Sequence, residues 1–264
     1  MTIWTALRQT YGNAWRFLFA LPLIAIAVVG FEGLQHLAEW NAGMYGSLAQ
    51  FKSAAEDPGR MITGSLKVIW LLVIQYWVTR FVAGGGSARV ALTLEPVALR
   101  KFAWVFLYSV VSAFVILFIP TFYPAGSPAH RTVAVSMALV ELVTLPIGVV
   151  LVPWMVGAAC GDPRASPIFG IRRAWGSILW GLAVSIVAVL PLMAVHYAFS
   201  FYAIGRAPGV TALMLVTDAI VVGFLSVVMC TNQVAIASRM AWRAGETLEC
   251  SGDLKLVGRA EHAR

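Results

Sequence analysis

An all-α, polytopic membrane helix bundle is the fold class that this sequence predicts, and three observations predict it. Of its 264 residues 60 % are hydrophobic and only 12 % are Asp, Glu, Lys or Arg, about half the charge of an average soluble domain. Six separate stretches are mainly apolar over the roughly 20 residues that a helix needs to cross a ~30 Å hydrocarbon core. Runs such as the SVVSAFVILFIPTF of 109–122 are apolar at consecutive positions. They lack the alternation of a membrane β-barrel, and helices are the other way to satisfy the backbone in lipid. The same composition excludes a soluble monomer and a disordered chain, which needs low hydrophobicity and high net charge.

The first span is expected at about 15–35. The N-terminal MTIWTALRQTYGNAWR is not the short basic region and compact apolar core of a cleaved signal peptide, so the stretch is read as a retained helix interrupted by Pro22. The segment 36–62 is too long for a tight turn. Its Trp40, Met44, Tyr45 and Phe51 suit an interfacial helix, and Asp57-Pro58-Gly59 is a turn signal. A second span, 63–84, ends at Gly84-Gly85-Gly86-Ser87, and a third covers 102–122. The fourth, 132–160, carries Pro146 and Pro153 and stops at Cys160-Gly161-Asp162-Pro163. The fifth, 176–203, is kinked at Pro191, and the sixth, 210–239, holds Thr231, Asn232 and Gln233, side chains suited to hydrogen bonding between helices. Residues 1–243 thus form one transmembrane domain of three hairpins, and 244–264 a polar tail. The three cysteines, Cys160, Cys230 and Cys250, have no metal-type spacing and suggest no disulfide framework.

Charge placement orients the bundle. Fourteen of the 19 Lys and Arg lie in the N-terminal segment, 80–104, 160–175 and 239–264, so the positive-inside rule places both termini in the cytoplasm. This asymmetry accounts for the net charge of +7 without nucleic acid. Arg80 and Arg239 are expected to snorkel to headgroups on that side.

The three hairpins open on related segments, LRQTYGNAWRFLF, LRKFAWVFLYS and IRRAWGSILWG, each with basic residues shortly before an Ala-Trp pair. Pro120 and Pro191 both fall 16 residues after their Trp. Duplication of a hairpin explains this, and convergence on Arg and Trp at a membrane interface is the competing account. Physically, Arg8, Trp15, Arg100, Lys101, Trp104, Arg172, Arg173 and Trp175 are placed to contact lipid headgroups, anionic ones above all.

Ionisable groups at membrane depth cost at least ~2.5–3.5 kcal/mol each on insertion scales. Glu141 on span four and Asp218 on span six are the clearest, with Lys67 on span two and His196 on span five. Glu32 and His36 at the end of span one are near enough to join them. They are expected either to converge on a substrate or proton site, or to form pairs that fix helix packing. No HExxH, G-x-S-x-G or P-loop motif occurs, so no catalytic residue, metal or cofactor is assigned.

On Ile171-Arg172-Arg173-Ala174-Trp175-Gly176, echoed from Leu7-Arg8 to Trp15 and from Leu99 to Trp104, the chain resembles the bacterial glycerophosphoryl diester phosphodiesterase membrane-domain family and its YciC-like relatives. The resemblance implies a six-helix inner-membrane module without phosphodiesterase activity of its own. The expected function is non-enzymatic engagement of lipids, a membrane-protein partner or a second copy through the basic-aromatic segments. A small permease with a polar site around Glu141 and Asp218 is the alternative, and a membrane-embedded enzyme the third.

Overall fold

The computed structural model describes residues 1–123, 127–246, 248 and 250. Among these, ten α-helices and two short 3₁₀ turns account for the secondary structure. They are α1 Ile3–Ala20, α2 Pro22–Asn41, α3 Leu48–Ser53, α4 Pro58–Ala83, α5 Ala88–Leu92, α6 Pro96–Phe118, α7 Pro128–Ala159, α8 Pro167–Ala174, α9 Ile178–Tyr202 and α10 Pro208–Arg243. Six of them, α2, α4, α6, α7, α9 and α10, are long and apolar enough to cross a membrane. The chain is a membrane protein built as an all-α bundle.

Proline punctuates this architecture. Helices α2, α4, α6, α7, α8 and α10 each begin on one. There its fixed φ suits the first turn, and its missing N–H leaves no intrahelical bond unmade. Side chains of Asp57, Ser127 and Ser166 cap α4, α7 and α8. Asp57-Pro58-Gly59, read above as a turn, is therefore the start of a helix. The expected first span also divides here. Leu21 leaves helical geometry and Pro22 starts a new helix, so the helix long and apolar enough to cross is Pro22–Asn41, preceded by a separate α1.

Helix α10 is the axis of the bundle, with 56 % of its most apolar window buried against at most 33 % for any other candidate span. Three successive residues tie it to three helices. Thr231 donates to the Thr10 carbonyl of α1 at 3.0 Å, Asn232 to Ser185 of α9 at 3.0 Å, and Gln233 accepts from Gln75 of α4 at 2.6 Å. The expected interhelical role of this triplet is thus realised. Helix α1 lies along the half of α10 nearest the basic side, and α2 along the far half. A Cβ on Gly223 would sit 2.6 Å from Val29 of α2, so the absent side chain is what lets these two helices meet closely.

Helix α7 behaves differently along its length. All its buried residues lie from Val149 onward, and most of its earlier side chains are exposed, although His130 in the first turn pairs with Glu56 at 3.0 Å. Arg80, expected to snorkel, is instead 0 % exposed. Its guanidinium donates to the carbonyls of Val90 at 3.1 Å and Ala159 at 3.1 Å, and pairs with Glu95 at 3.3 Å. It ties the end of α4 to the end of α7 and to the entry of α6. Arg239 stacks over the Trp180 ring, 4.2 Å from its centroid.

Near the basic side, Cys160 and Cys250 form a disulfide with Cα atoms 4.7 Å apart, which corrects the expectation of no disulfide. Glu246 pairs with Arg173 and Arg164. The described part of the segment after α10 therefore folds back on α7 and α8; Thr247, Glu249 and 251–264 of the expected tail lie outside the described residues.

Candidate functional site

The face of α2 turned toward α10 carries Glu32, Gln35, His36 and Glu39, all buried. Their i, i+3, i+4, i+7 spacing puts them on one stripe of a helix. Glu32 is 1 % exposed and Asp218, facing them from α10, is 0 % exposed. His36 Nε2 lies 3.0 Å from Asp218 Oδ2, and its Nδ1 lies 2.9 Å from Glu39 Oε2. His196 of α9 brings its Nδ1 to 2.8 Å from Asp218 Oδ1. Lys67 of α4 pairs with Glu32 at 2.7 Å, and Arg60 pairs with Glu39 at 3.0 Å. Four membrane helices thus contribute seven ionisable side chains to one centre on the far side from the basic loops.

Desolvating each such ion costs several kcal/mol, which only good geometry and further hydrogen bonds offset. Glu39 has them: Gln35 donates to it at 2.9 Å, and the Tyr45 hydroxyl donates as well. Burial, reinforced by the neighbouring Glu39 charge, holds the Tyr45 hydroxyl above the usual phenol range, so it stays protonated and a donor. Tyr45 sits in the turn after α2, packed with Met44, Ala203 and Leu215. Of the segment expected as an interfacial helix, Trp40 belongs to α2, Met44 and Tyr45 to the turn, and Phe51 to the short helix α3.

The geometry also demands a proton. Both ring nitrogens of His36 face carboxylate oxygens, while a neutral imidazole has one N–H. Either the ring is an imidazolium or one neighbouring carboxyl keeps its proton. A groove of about 290 Å³ between α2 and α10, lined by Val29, Gly33, His36, Trp40 and Ala219, reaches this ring from the side of the bundle.

Three of the four intramembrane candidates, Asp218, Lys67 and His196, meet in this centre. Glu141 does not: it is exposed on α7, two turns before the first buried residue of that helix, and among the described residues it makes neither the convergence with Asp218 nor the packing pair that were the two expectations for it. Glu39, Gln35, Tyr45 and Arg60 were missed as partners. The helical spacing of Glu32, His36 and Glu39 was the available signal.

The basic-aromatic candidates are dispersed. Arg8 is exposed on α1, and Trp15 packs 4.9 Å from Phe224, ring to ring. Arg172 is exposed and Trp175 is 82 % exposed at the end of α8. Arg173 is engaged, with its guanidinium 4.5 Å from the Phe169 ring centroid and paired to Glu246. Arg100, Lys101 and Trp104, however, line one groove of about 860 Å³ with Tyr108, Val111 and Trp154. The cations lie at its basic-side end, and the remainder is chiefly apolar and aromatic. The three Ala-Trp pairs occupy unlike places: mid-α1, the start of α6, and the end of α8.

No protein-family model, curated protein or solved structure matches the chain.

Proposed function

We propose that this protein is a non-enzymatic membrane protein that holds an anionic lipid in the groove between α6, α7 and α8. The observation that carries this is the amphipathic order of the groove: Arg100 and Lys101 at one end, then Trp104, Tyr108, Val111 and Trp154. A phosphate headgroup suits the first, and acyl chains suit the rest. The basic side is the cytoplasmic face of a bacterial inner membrane in this reading, with the Lys/Arg asymmetry as its support and the resemblance to the phosphodiesterase membrane-domain family consistent with it. Each Lys or Arg near an anionic surface is worth about 1 kcal/mol, so R100Q/K101Q is expected to lower retained phosphatidylglycerol or cardiolipin by roughly tenfold or more. Native mass spectrometry of the purified protein reads this. Unchanged retention in the double variant, with R8Q/R172Q as the comparison, overturns the proposal.

A second reading, a small permease, is favoured by one observation: Asp218 contacts histidines from two different helices. Its site is the centre of Glu32, His36, Lys67, His196 and Asp218, without Glu141. Proton flux into proteoliposomes that is lost in D218N supports it, and flux equal to that of empty liposomes overturns it.

A further inference from the structure

We infer that Glu32, His36, His196 and Asp218 form a binding site for a divalent transition-metal ion of the zinc class. Glu32, His196 and Asp218 each offer a ligand atom within 4.8 Å of the others. His36 Nε2 adds a fourth donor, 3.0 Å from Asp218 Oδ2 and 3.5 Å from Glu32 Oε1. Two imidazoles and two carboxylates are a set that zinc accepts in tetrahedral geometry. Calcium and magnesium call for six or more oxygen ligands or retained waters, and two ring nitrogens count against them.

Two further observations point to a ligand rather than to packing alone. The first is Glu32. Its Oε2 pairs with the Lys67 ammonium, whereas Oε1, also buried, has no hydrogen-bond partner among the described residues and only the His36 ring at 3.5 Å. Oε1 is aimed at the His36 ring without a satisfied bond. The second is the support behind His36. Its Nδ1 meets Glu39, which Gln35, Arg60 and Tyr45 hold in turn. A carboxylate on the far nitrogen of a metal-ligating histidine fixes the tautomer and the ring orientation. Here it directs the Nε2 lone pair into the cluster once the Nε2 proton has left.

Metal binding also removes the protonation conflict at His36. The ion takes the place of the one extra proton held between His36 and its carboxylates, which passes to solvent, while a neutral His196 shifts its N–H to Nε2 and frees Nδ1, so binding is linked to pH. On metal binding Lys67 turns from Glu32 toward the partly open edge of the centre, at which it is 15 % exposed. The inference concerns binding alone and requires neither lipid retention nor flux.

The test uses the full-length protein in detergent, stripped with chelator and titrated with Zn²⁺ by calorimetry in two buffers of different ionisation enthalpy. One ion per chain with proton release is expected. E32Q and H196Q should each weaken binding at least about tenfold, and E39Q, acting through His36, about 10-fold to 100-fold. K67Q, which removes only the competing ammonium, should bind more tightly. Folding of each variant is checked by size-exclusion profile and thermal unfolding without metal. Lack of stoichiometric binding by the wild type overturns the inference, as does wild-type affinity in folded E32Q and H196Q.

Discussion

His36 and Asp218, 182 residues apart in sequence, meet at 3.0 Å in the interior of the bundle. That contact joins α2 to α10, and Asp218 extends it to α9 through His196 at 2.8 Å. Glu39, on the other ring nitrogen of His36, extends it to α4 through Arg60.

D218N leaves the buried His36 and the half-buried His196 facing a group that no longer carries charge. Removing one partner of a buried pair costs about 3–5 kcal/mol, so D218N should lower stability by that order. E141Q alters an exposed side chain outside the centre and should stay within about 0.5 kcal/mol. Denaturant unfolding in micelles compares the two, and equal losses would contradict the placement of Glu141.

Arg80 makes a parallel case near the basic side. R80Q removes the tie to Val90, Glu95 and Ala159 and should cost about 3 kcal/mol. E95Q leaves Arg80 its two carbonyl partners and should cost about 1 kcal/mol. A double-mutant cycle should return a coupling above about 0.5 kcal/mol; additive losses would show that the pair is not coupled.

The approach of α2 to α10 depends on Gly223. G223L places a branched side chain where Val29 already stands. Overpacking of this kind costs roughly 1–3 kcal/mol, and separating the helices also pulls His36 from Asp218. A Tm equal to wild type in micelles would show that the interface yields freely.

Acid should loosen the network around α8. At Glu246 the hydrogen bond from Arg173, opposed by burial, holds the carboxyl below its ordinary value. At Asp162 burial pushes upward, but hydrogen bonds from Arg164 outweigh it and the net shift is downward. A depressed carboxylate contributes stability above its unfolded pKa, about 4, and that contribution is lost as pH falls through the folded value. The Tm gap between wild type and R164Q should therefore be full at pH 6 and shrink below about pH 4. A gap that widens on acidification would reverse the sign.

Thiol counting tests the link between Cys160 and Cys250. Alkylation of air-purified, denatured protein should label only Cys230 before reduction and all three cysteines after it. If the basic side faces a reducing cytosol, protein trapped by acid in intact cells should label at all three. One labelled thiol in both preparations would contradict the cytoplasmic placement of that side.

Much of the architecture was readable from local chemistry. Apolar runs of bilayer length point to helices, but Pro58, read as part of a turn, opens one, and Pro96, Pro128, Pro167 and Pro208 open others at boundaries that apolar length alone does not reveal. Thr231, Asn232 and Gln233 announced interhelical bonds because polar side chains at that depth have few other partners. Pro22 was read as a kink, whereas it divides two helices: a proline's effect depends on whether packing holds the following segment in line. Arg80 looked like a residue bound for headgroups, since spacing along a helix cannot reveal that carbonyls from α5 and α7 will surround it.

The amino-acid sequence by itself determined the class, the number of helices long and apolar enough to cross a membrane and the loops in which basic charge accumulates, because hydrophobic length and charge act locally along the chain. Only the tertiary structure decided which polar residues share a site. Asp218 and Glu141 are equally costly in lipid when read alone. The close fit of α2 on α10 at Gly223 brings one of them to His36, and α7, whose buried residues start only at Val149, leaves the other exposed.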